Sequence, residues 1–540
     1  LSISGNLVDI FQRIIYPGTI RIDRGKIVAI ECEDKVYDHY ILPGFVDAHV
    51  HIESSMLVPA EFARLATVHG TVATISDPHE IANVLGLAGV RFMQSNAAQT
   101  PFHIAFGAPS CVPATPFETA GGKLMVQDIQ ELFDRDGITY LSEMMNIPGV
   151  LAQDPEVMAK IRIAQTMGGT IDDHAPGLRG ITAQNYIAAD ISTDHECLSL
   201  EEALDKLAAG MKILIREGSA AKNFNTLHSL IDRYPDRCMF CSDDLHPDDL
   251  VKGHINLLVK RALALGHDLM NVLQIACVNP VLHYGLKVGL LRVGDSADAI
   301  EVNNLQDFEV QRNYCQGVLV AQEGKPLIFP PPTISLNHFV TQPKTTADFR
   351  LPAVGKIVRV IHAIDGELIT PAQQAIAPIT NGEVTADLER DILKITVVNR
   401  YFDAPPAVAL IKNFHLQRGA IASSVAHDSH NIIAVGTTDA EICSAVNAVI
   451  RAHGGIVVVE GDRVQILELP IAGLMSNADG YQVAAQYAHL DRAAKGLGST
   501  LSAPFMTLSF MALLVIPHLK LSDRGLFNGD EFQFTSLWVE

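Results

Sequence analysis

The chain has no compact Lys/Arg block, and its 61 acidic residues outnumber 40 basic ones for a net charge of -21. A surface of that sign repels phosphate backbones, so nucleic acid is not an expected partner. Cysteine is sparse: eight residues scattered from Cys32 to Cys443 lack the density of a disulfide scaffold. One close pair, Cys238 and Cys241 in RCMFCSDD, has no second pair to complete a metal site. On a strand, an offset of three sends two side chains to opposite faces. Buried, reduced thiols in a cytoplasm are the expectation. Long apolar runs are also missing. The longest, PFMTLSFMALLVI at 504–516, covers about 13 residues and stops at Pro517, against the ~20 needed to cross a bilayer. It reads as a buried helix or strand. The chain opens on Leu1 without a charged-then-apolar leader, so neither secretion nor a membrane partner is expected.

What is present describes a globular enzyme-sized chain. Hydrophobic residues make up 48% and charged residues 19% of 540 positions, too many residues for one core, so two or three domains are expected. Residues 5–42 alternate apolar and polar types with Gly and Pro breaks, as in GTIRIDRGKIVAI, the texture of β hairpins. The same texture returns at about 291–328. Between the two, eight short apolar runs (44–51, 70–76, 103–110, 138–144, 170–175, 191–196, 211–219 and 238–244) alternate with helical stretches. Pro59 suits a helix start and Ser199 an N-cap. Eight β-then-α units in this length match a (β/α)8 TIM-like barrel. The rival, an open doubly wound sheet, lacks the G-x-G-x-x-G expected after its first strand.

The expected fold class is therefore α/β. A barrel spans 44–290, and a small β accessory domain forms from 1–43 plus 291–330. A proline-rich linker, FPPPTISLNHFVTQPKTT (329–346), leads to a C-terminal α+β domain over 347–540. No internal repeat of 20–50 residues is apparent.

The first barrel run ends in His49 and His51. Residues i and i+2 of a strand share a face, and barrel active sites lie at the C-terminal strand ends. Two imidazoles converging from one rigid strand suit a divalent ion. Glu143 in YLSEMMN, His174 in IDDHAPG, His195 in STDHE and Asp243 in FCSDDLHP each stand where another apolar run gives way to a loop. Four histidines and two carboxylates exceed the ligands of one tetrahedral zinc and suit two ions sharing a carboxylate and a water. Glu143 is the natural bridge, having two oxygens to divide. Asp243 is suited to bind one ion and carry the water's proton. Such ligands accept Mn, Fe or Zn.

The stretches LPGFVDAHVHIESSM, DPHEIANVLG, SEMMNIPGVL, DDHAPGLRG, REGSAAKN, FCSDDLHPDDLVKGHI and RGAIASSVAHDSHNIIAVGTTD resemble the amidohydrolase superfamily, and within it the adenine deaminases. PIAGLM and PFMTLSF near the end are similar too, so the resemblance covers nearly the whole chain. The H-x-H is generic to the superfamily; the Glu143 motif and the C-terminal block are more specific. The resemblance implies a binuclear centre, Mn or Fe before Zn. His49 and His51 match the first-strand pair, Glu143 the bridging carboxylate, His174 and His195 the fifth- and sixth-strand ligands, and Asp243 the eighth-strand aspartate. Many members bridge their metals with a carbamylated lysine, and Glu at this position favours the adenine deaminase branch. Asp173 stands where glycine is expected before His174.

The implied reaction is hydrolysis of adenine to hypoxanthine and ammonia, with Asp243 as the catalytic base and then acid. A small-molecule purine is the implied partner, and a homo-oligomer is compatible, although no interface signal is visible. Asp77 and His79 at the second strand and Glu217 at the seventh either face the purine or stand behind the ligands; both readings remain open. The long Gly/Pro-rich loop SCVPATPFETAGG is the expected lid. His427, Asp428 and His430 either form a wall of the active site or an N-cap network. Zinc deaminases with an H-x-E and P-C-x-x-C signature are excluded, because DHECLS lacks the intervening residue and CMFC the proline. The alternatives are hydrolysis of a cyclic amide or another aminopurine at the same metals, and a silent scaffold, which would be expected to have lost ligands.

Overall fold

A computed structural model of the chain describes residues 1–539. Its barrel strands are Phe45–Val50, Thr71–Ser76, His103–Phe106 continued by Ala108–Pro109, Tyr140–Met144, Thr170–Asp173, Thr193–Asp194, Lys212–Arg216 and Cys238–Cys241. Each falls within an apolar run anticipated from the sequence. The first two are buried at every position, as expected where helices cover the outside of a parallel sheet and side chains fill the inside. Parallel pairing joins successive strands, except that the fifth and sixth meet through Ser192 N donating to Ile171 O at 2.9 Å. The ring closes where His51 N donates to Asp243 O at 3.2 Å and Asp243 N donates to His49 O at 2.9 Å. These closing bonds tie the first metal-ligand candidates to the last.

The third strand breaks at Gly107, whose N–H donates to Ser76 O at 3.0 Å. A Cβ there would come within 2.6 Å of Tyr140 and Ser142, so glycine permits the close approach of the neighbouring strand. Helices fill the crossovers as the caps suggest. Pro59 begins Pro59–Ala66, and Ser199 Oγ accepts from Glu202 N at 3.2 Å to start Leu200–Ala208.

Strands from both flanks of the barrel share one eight-stranded sheet. Tyr40–Pro43 pairs parallel with Ser2–Asp9 and antiparallel with Ala299–Val302. Toward the C-terminus, a nine-stranded sheet carries the helix Asp439–Ala452 on one face. Its apolar residues, among them Ile442, Val446 and Val449, pack on the alternating inward positions of the sheet. The helix Gly480–Gly496 lies against the barrel, where Gly480 N donates to Glu61 Oε2 at 2.8 Å. Buried Arg400 anchors the preceding proline-rich segment by donating to His338 O at 3.3 Å and Asn337 Oδ1 at 3.1 Å. The apolar 504–516 stretch is a short helix, Pro504–Phe510, and a buried turn. No helix among the described residues is long and apolar enough to cross a membrane.

Candidate metal centre

Six side chains from five barrel strand ends meet at one rim. His49 and His51 leave their strand on the same face, as a period of two demands, and their Nε2 atoms are 3.2 Å apart. Glu143 Oε1 is 2.9 Å from His49 Nε2, 3.3 Å from His51 Nε2 and 3.2 Å from His195 Nε2. Asp243 Oδ1 stands 3.3 Å from His51 Nε2 and 3.6 Å from His49 Nε2. Ligand atoms of His49, Glu143, His195 and Asp243 all lie within 4.8 Å of one another, and all four residues are buried. His174 joins through Glu196, its Nδ1 3.6 Å from Glu196 Oε1. All six sequence-predicted ligands thus come together.

The surroundings aim these groups at a shared centre. His51 Nδ1 donates to Asp77 O at 3.2 Å, which leaves the Nε2 lone pair facing inward. His79 Nδ1 is held 2.9 Å from Asp77 Oδ2. Burial opposes charge on His49, but Asp243 and Glu143 overcome it and lift its pKa up to about 10. Burial likewise pushes the Glu143 carboxyl up, and His51, His195 and His49 hold it well below its ordinary range. A site that stabilises positive charge so strongly also favours metal cations, which displace those protons.

The donor set fits a metal pair. Two imidazole Nε2 atoms 3.2 Å apart cannot both donate to each other, and a cation between them removes the conflict. Glu143 Oε1, His174 Nε2 and His195 Nε2 are buried without a hydrogen-bond partner, although buried polar atoms are nearly always paired. His49, His51, Glu143, His174, His195 and Asp243 could hold two ions, with Glu143 shared.

Residues 40–320 match the Amidohydrolase family, and residues 367–533 match the Adenine deaminase C-terminal domain. Along its whole length the chain is 55% identical over 542 residues to an adenine deaminase of Salinibacter ruber, covering 100% of this chain and 99% of that one. It is 56% identical to an adenine deaminase of Sulfurovum sp., with 99% of each covered. A Methanosarcina mazei adenine deaminase shares 49% identity over 99% of each. The chain belongs to the adenine deaminase family.

In this adenine deaminase family member, three functional neighbours escape a reading of the sequence. Buried Glu196 and Arg216 form an ion pair, Arg216 Nη2 donating to Glu196 Oε2 at 3.0 Å, and Arg216 Nη1 donates to Asp243 Oδ2 at 2.6 Å. Glu80 links the barrel to the C-terminal region by contacts with His79, His427 and His430. Neighbouring residues of an extended strand face opposite ways, so Arg216 and Glu217 cannot both face the cluster, and this was the available signal for Arg216.

Glu217 is corrected by the same parity. It turns from the cluster to Arg261, whose Nη1 lies 3.0 Å from its Oε1, so it neither faces the cavity nor backs a ligand. Asp173 fills the expected glycine position by accepting from Tyr186 Oη at 2.6 Å, and it displaces no ligand.

The loop 110–122 is fastened to the C-terminal region. Ser522 Oγ donates to Phe117 O at 2.8 Å, Thr119 N to Asp523 Oδ1 at 3.0 Å, and Asn431 Nδ2 to Thr119 O at 2.9 Å. It flanks the centre rather than lining it: the cavity beside the candidate ligands is lined opposite them by Leu368, His427, Asp428, Phe510 and Leu513. Cys238 and Cys241 are buried free thiols, as their strand position implied.

Proposed function

We propose that this chain hydrolyses adenine to hypoxanthine and ammonia at the centre described above. The observation that carries the reading is the convergence of three imidazoles on Glu143 Oε1 with Asp243 beside them, in a chain about as long as the adenine deaminases it resembles. His49, His51, Glu143, His174, His195 and Asp243 are the ligands in this reading. Their nitrogen and carboxylate donors suit Mn or Fe, and accept Zn. Bound there, two such ions would supply Lewis acidity and the means to form hydroxide near neutral pH.

The protein's own groups complete the chemistry. Arg216 occupies Asp243 Oδ2, so Oδ1 remains on the side of His49 and His51. Asp243 takes the proton of the attacking water there and returns one to the departing amine, acting as base and then acid. Glu143, engaged as a ligand in this reading, would position charge and move no proton. Burial excludes bulk water and strengthens every electrostatic contact inside.

The same reading divides the chain into a catalytic barrel over 44–290, a β accessory domain from 1–43 plus 291–330, and a C-terminal α+β domain over 347–540. The shared flanking sheet supports the second of these. Eight free cysteines, seven of them buried, suit a reducing cytoplasm.

The deciding experiment measures metal content and ammonia release with adenine, adenosine, guanine and dihydropyrimidines. The expected result is two metals per chain and ammonia from adenine. A metal-loaded protein that opens a dihydropyrimidine but leaves adenine intact would replace this reading with cyclic-amide hydrolysis.

A further inference from the structure

His427 and Asp428 lie on the loop between the strands Ala420–Ser423 and Ile432–Gly436, yet they stand at the mouth of the barrel. The Glu80 carboxylate draws them there. One oxygen bonds His427 Nδ1, the other bonds His430 Nε2, and His79 Nε2 lies 3.3 Å from Oε1. With Nδ1 engaged, the His427 ring is fixed and its Nε2 has no partner; Asp428 Oδ2 has none either. Both residues are 2–3% exposed. Two neighbouring buried polar atoms without partners are unusual in a folded interior, and they line the cavity whose opposite wall is the metal-ligand cluster.

The rest of this wall suits a flat ring. Phe510 stacks on His427, with ring centroids 4.9 Å apart and planes at 27°. Leu368 and Leu513 add apolar surface. Lys520 Nζ fixes the wall from behind, donating to Leu368 O at 2.6 Å and Phe510 O at 3.0 Å. The cavity measures about 30 Å³, room for about two waters, so a heterocycle enters only as the site widens. Larger clefts of about 450 and 800 Å³ lie by the N-terminal strand ends and hold no such ligand cluster.

We propose that His427 and Asp428 read the purine edge opposite the attacked carbon and select the free base. Asp428 Oδ2 accepts the imidazole-ring N–H that only an N9-unsubstituted purine can donate, and His427 Nε2 hydrogen-bonds to an adjacent ring nitrogen. This assignment rests on the adenine-deaminating reading and adds the residues that set its selectivity. A site built to hydrogen-bond a substrate N–H rejects an analogue lacking it by ~10⁴-fold, since the buried partner is left unpaired.

The test compares kcat/KM for adenine and 9-methyladenine in the wild type, Asp428→Asn and His427→Gln, with metal content and equilibrium binding of hypoxanthine measured alongside. Wild type should strongly prefer adenine. In Asp428→Asn that preference should fall at least about tenfold while two metals remain bound, and hypoxanthine should bind more weakly to both variants. A wild type that turns over 9-methyladenine as fast as adenine overturns the assignment without any variant. So does an unchanged preference in the folded variants with adenine turnover intact; in both cases the deamination reading survives. A metal-loaded wild type that releases no ammonia from adenine removes both.

Discussion

Arg216 Nη1 sits 2.6 Å from Asp243 Oδ2, both side chains buried at the C-terminal rim of the barrel. Burial pushes the Asp243 carboxyl up, and the Arg216 guanidinium, with His49 and His51, holds it well below its ordinary range. Arg216 also engages Glu196, so its removal strands two buried carboxylates. Arg216→Met should cost about 3–5 kcal/mol of stability and lower kcat by ~100-fold or more. Thermal unfolding and steady-state kinetics check this. Near-normal turnover would show that the clamp does not orient Asp243.

Asp243→Asn keeps the size and one oxygen of the side chain but removes its proton affinity. Turnover should fall by about 10²–10⁴-fold while most of the metal is retained. The measurements are kcat and elemental analysis on the same preparation. Full activity would take Asp243 out of the proton transfers.

Glu143 Oε1 lies within 3.3 Å of the Nε2 atoms of three imidazoles. Glu143→Ala should bring metal content below two per chain, read by elemental analysis after dialysis. An undiminished pair of metals would refute its role as the bridge.

Lys206 Nζ ties together the two loops that carry His174 and His195. It donates to Ala175 O at 2.7 Å, to Asp194 Oδ2 at 2.6 Å and to Glu202 Oε1 at 2.9 Å. Ala175 follows one histidine and Asp194 precedes the other. Lys206→Met should weaken metal affinity by about 10–100-fold, as loss of the groups behind a ligand does elsewhere. A chelator titration measures it. Unaltered affinity in a folded variant would confine Lys206 to a structural role.

Lys520 is buried against backbone carbonyls, and burial lowers its pKa from 10.5 to about 7. The unfolded chain therefore binds a proton between these values that the folded chain does not, so wild-type stability rises with pH across that window. The penalty is complete below about pH 7 and fades as pH approaches 10.5. Relative to Lys520→Met, the wild type should gain about 1.4 kcal/mol per pH unit within the window. Denaturant unfolding at pH 7, 8 and 9 tests this. A difference that stays flat with pH would mean that Lys520 remains charged when folded.

The barrel and the candidate ligands gathered at its rim were legible in the sequence because strand geometry is local. Alternation places His49 and His51 on one face, and the junctions of apolar runs with loops mark Glu143, His174, His195 and Asp243 as rim residues. Parity also distinguishes Arg216 from Glu217, a signal that reading Glu217 as the strand end obscured. Other relationships depend on chain paths that no local pattern encodes. Glu196 turns to Arg216 only after its loop bends, and Glu80 meets His427 across 347 residues. The sequence alone thus determined the eight-unit barrel and which side chains share its rim, because period and strand order set both. Only tertiary structure decided what closes over that rim, since the approach of His427 and Asp428 depends on how the C-terminal sheet docks on the barrel.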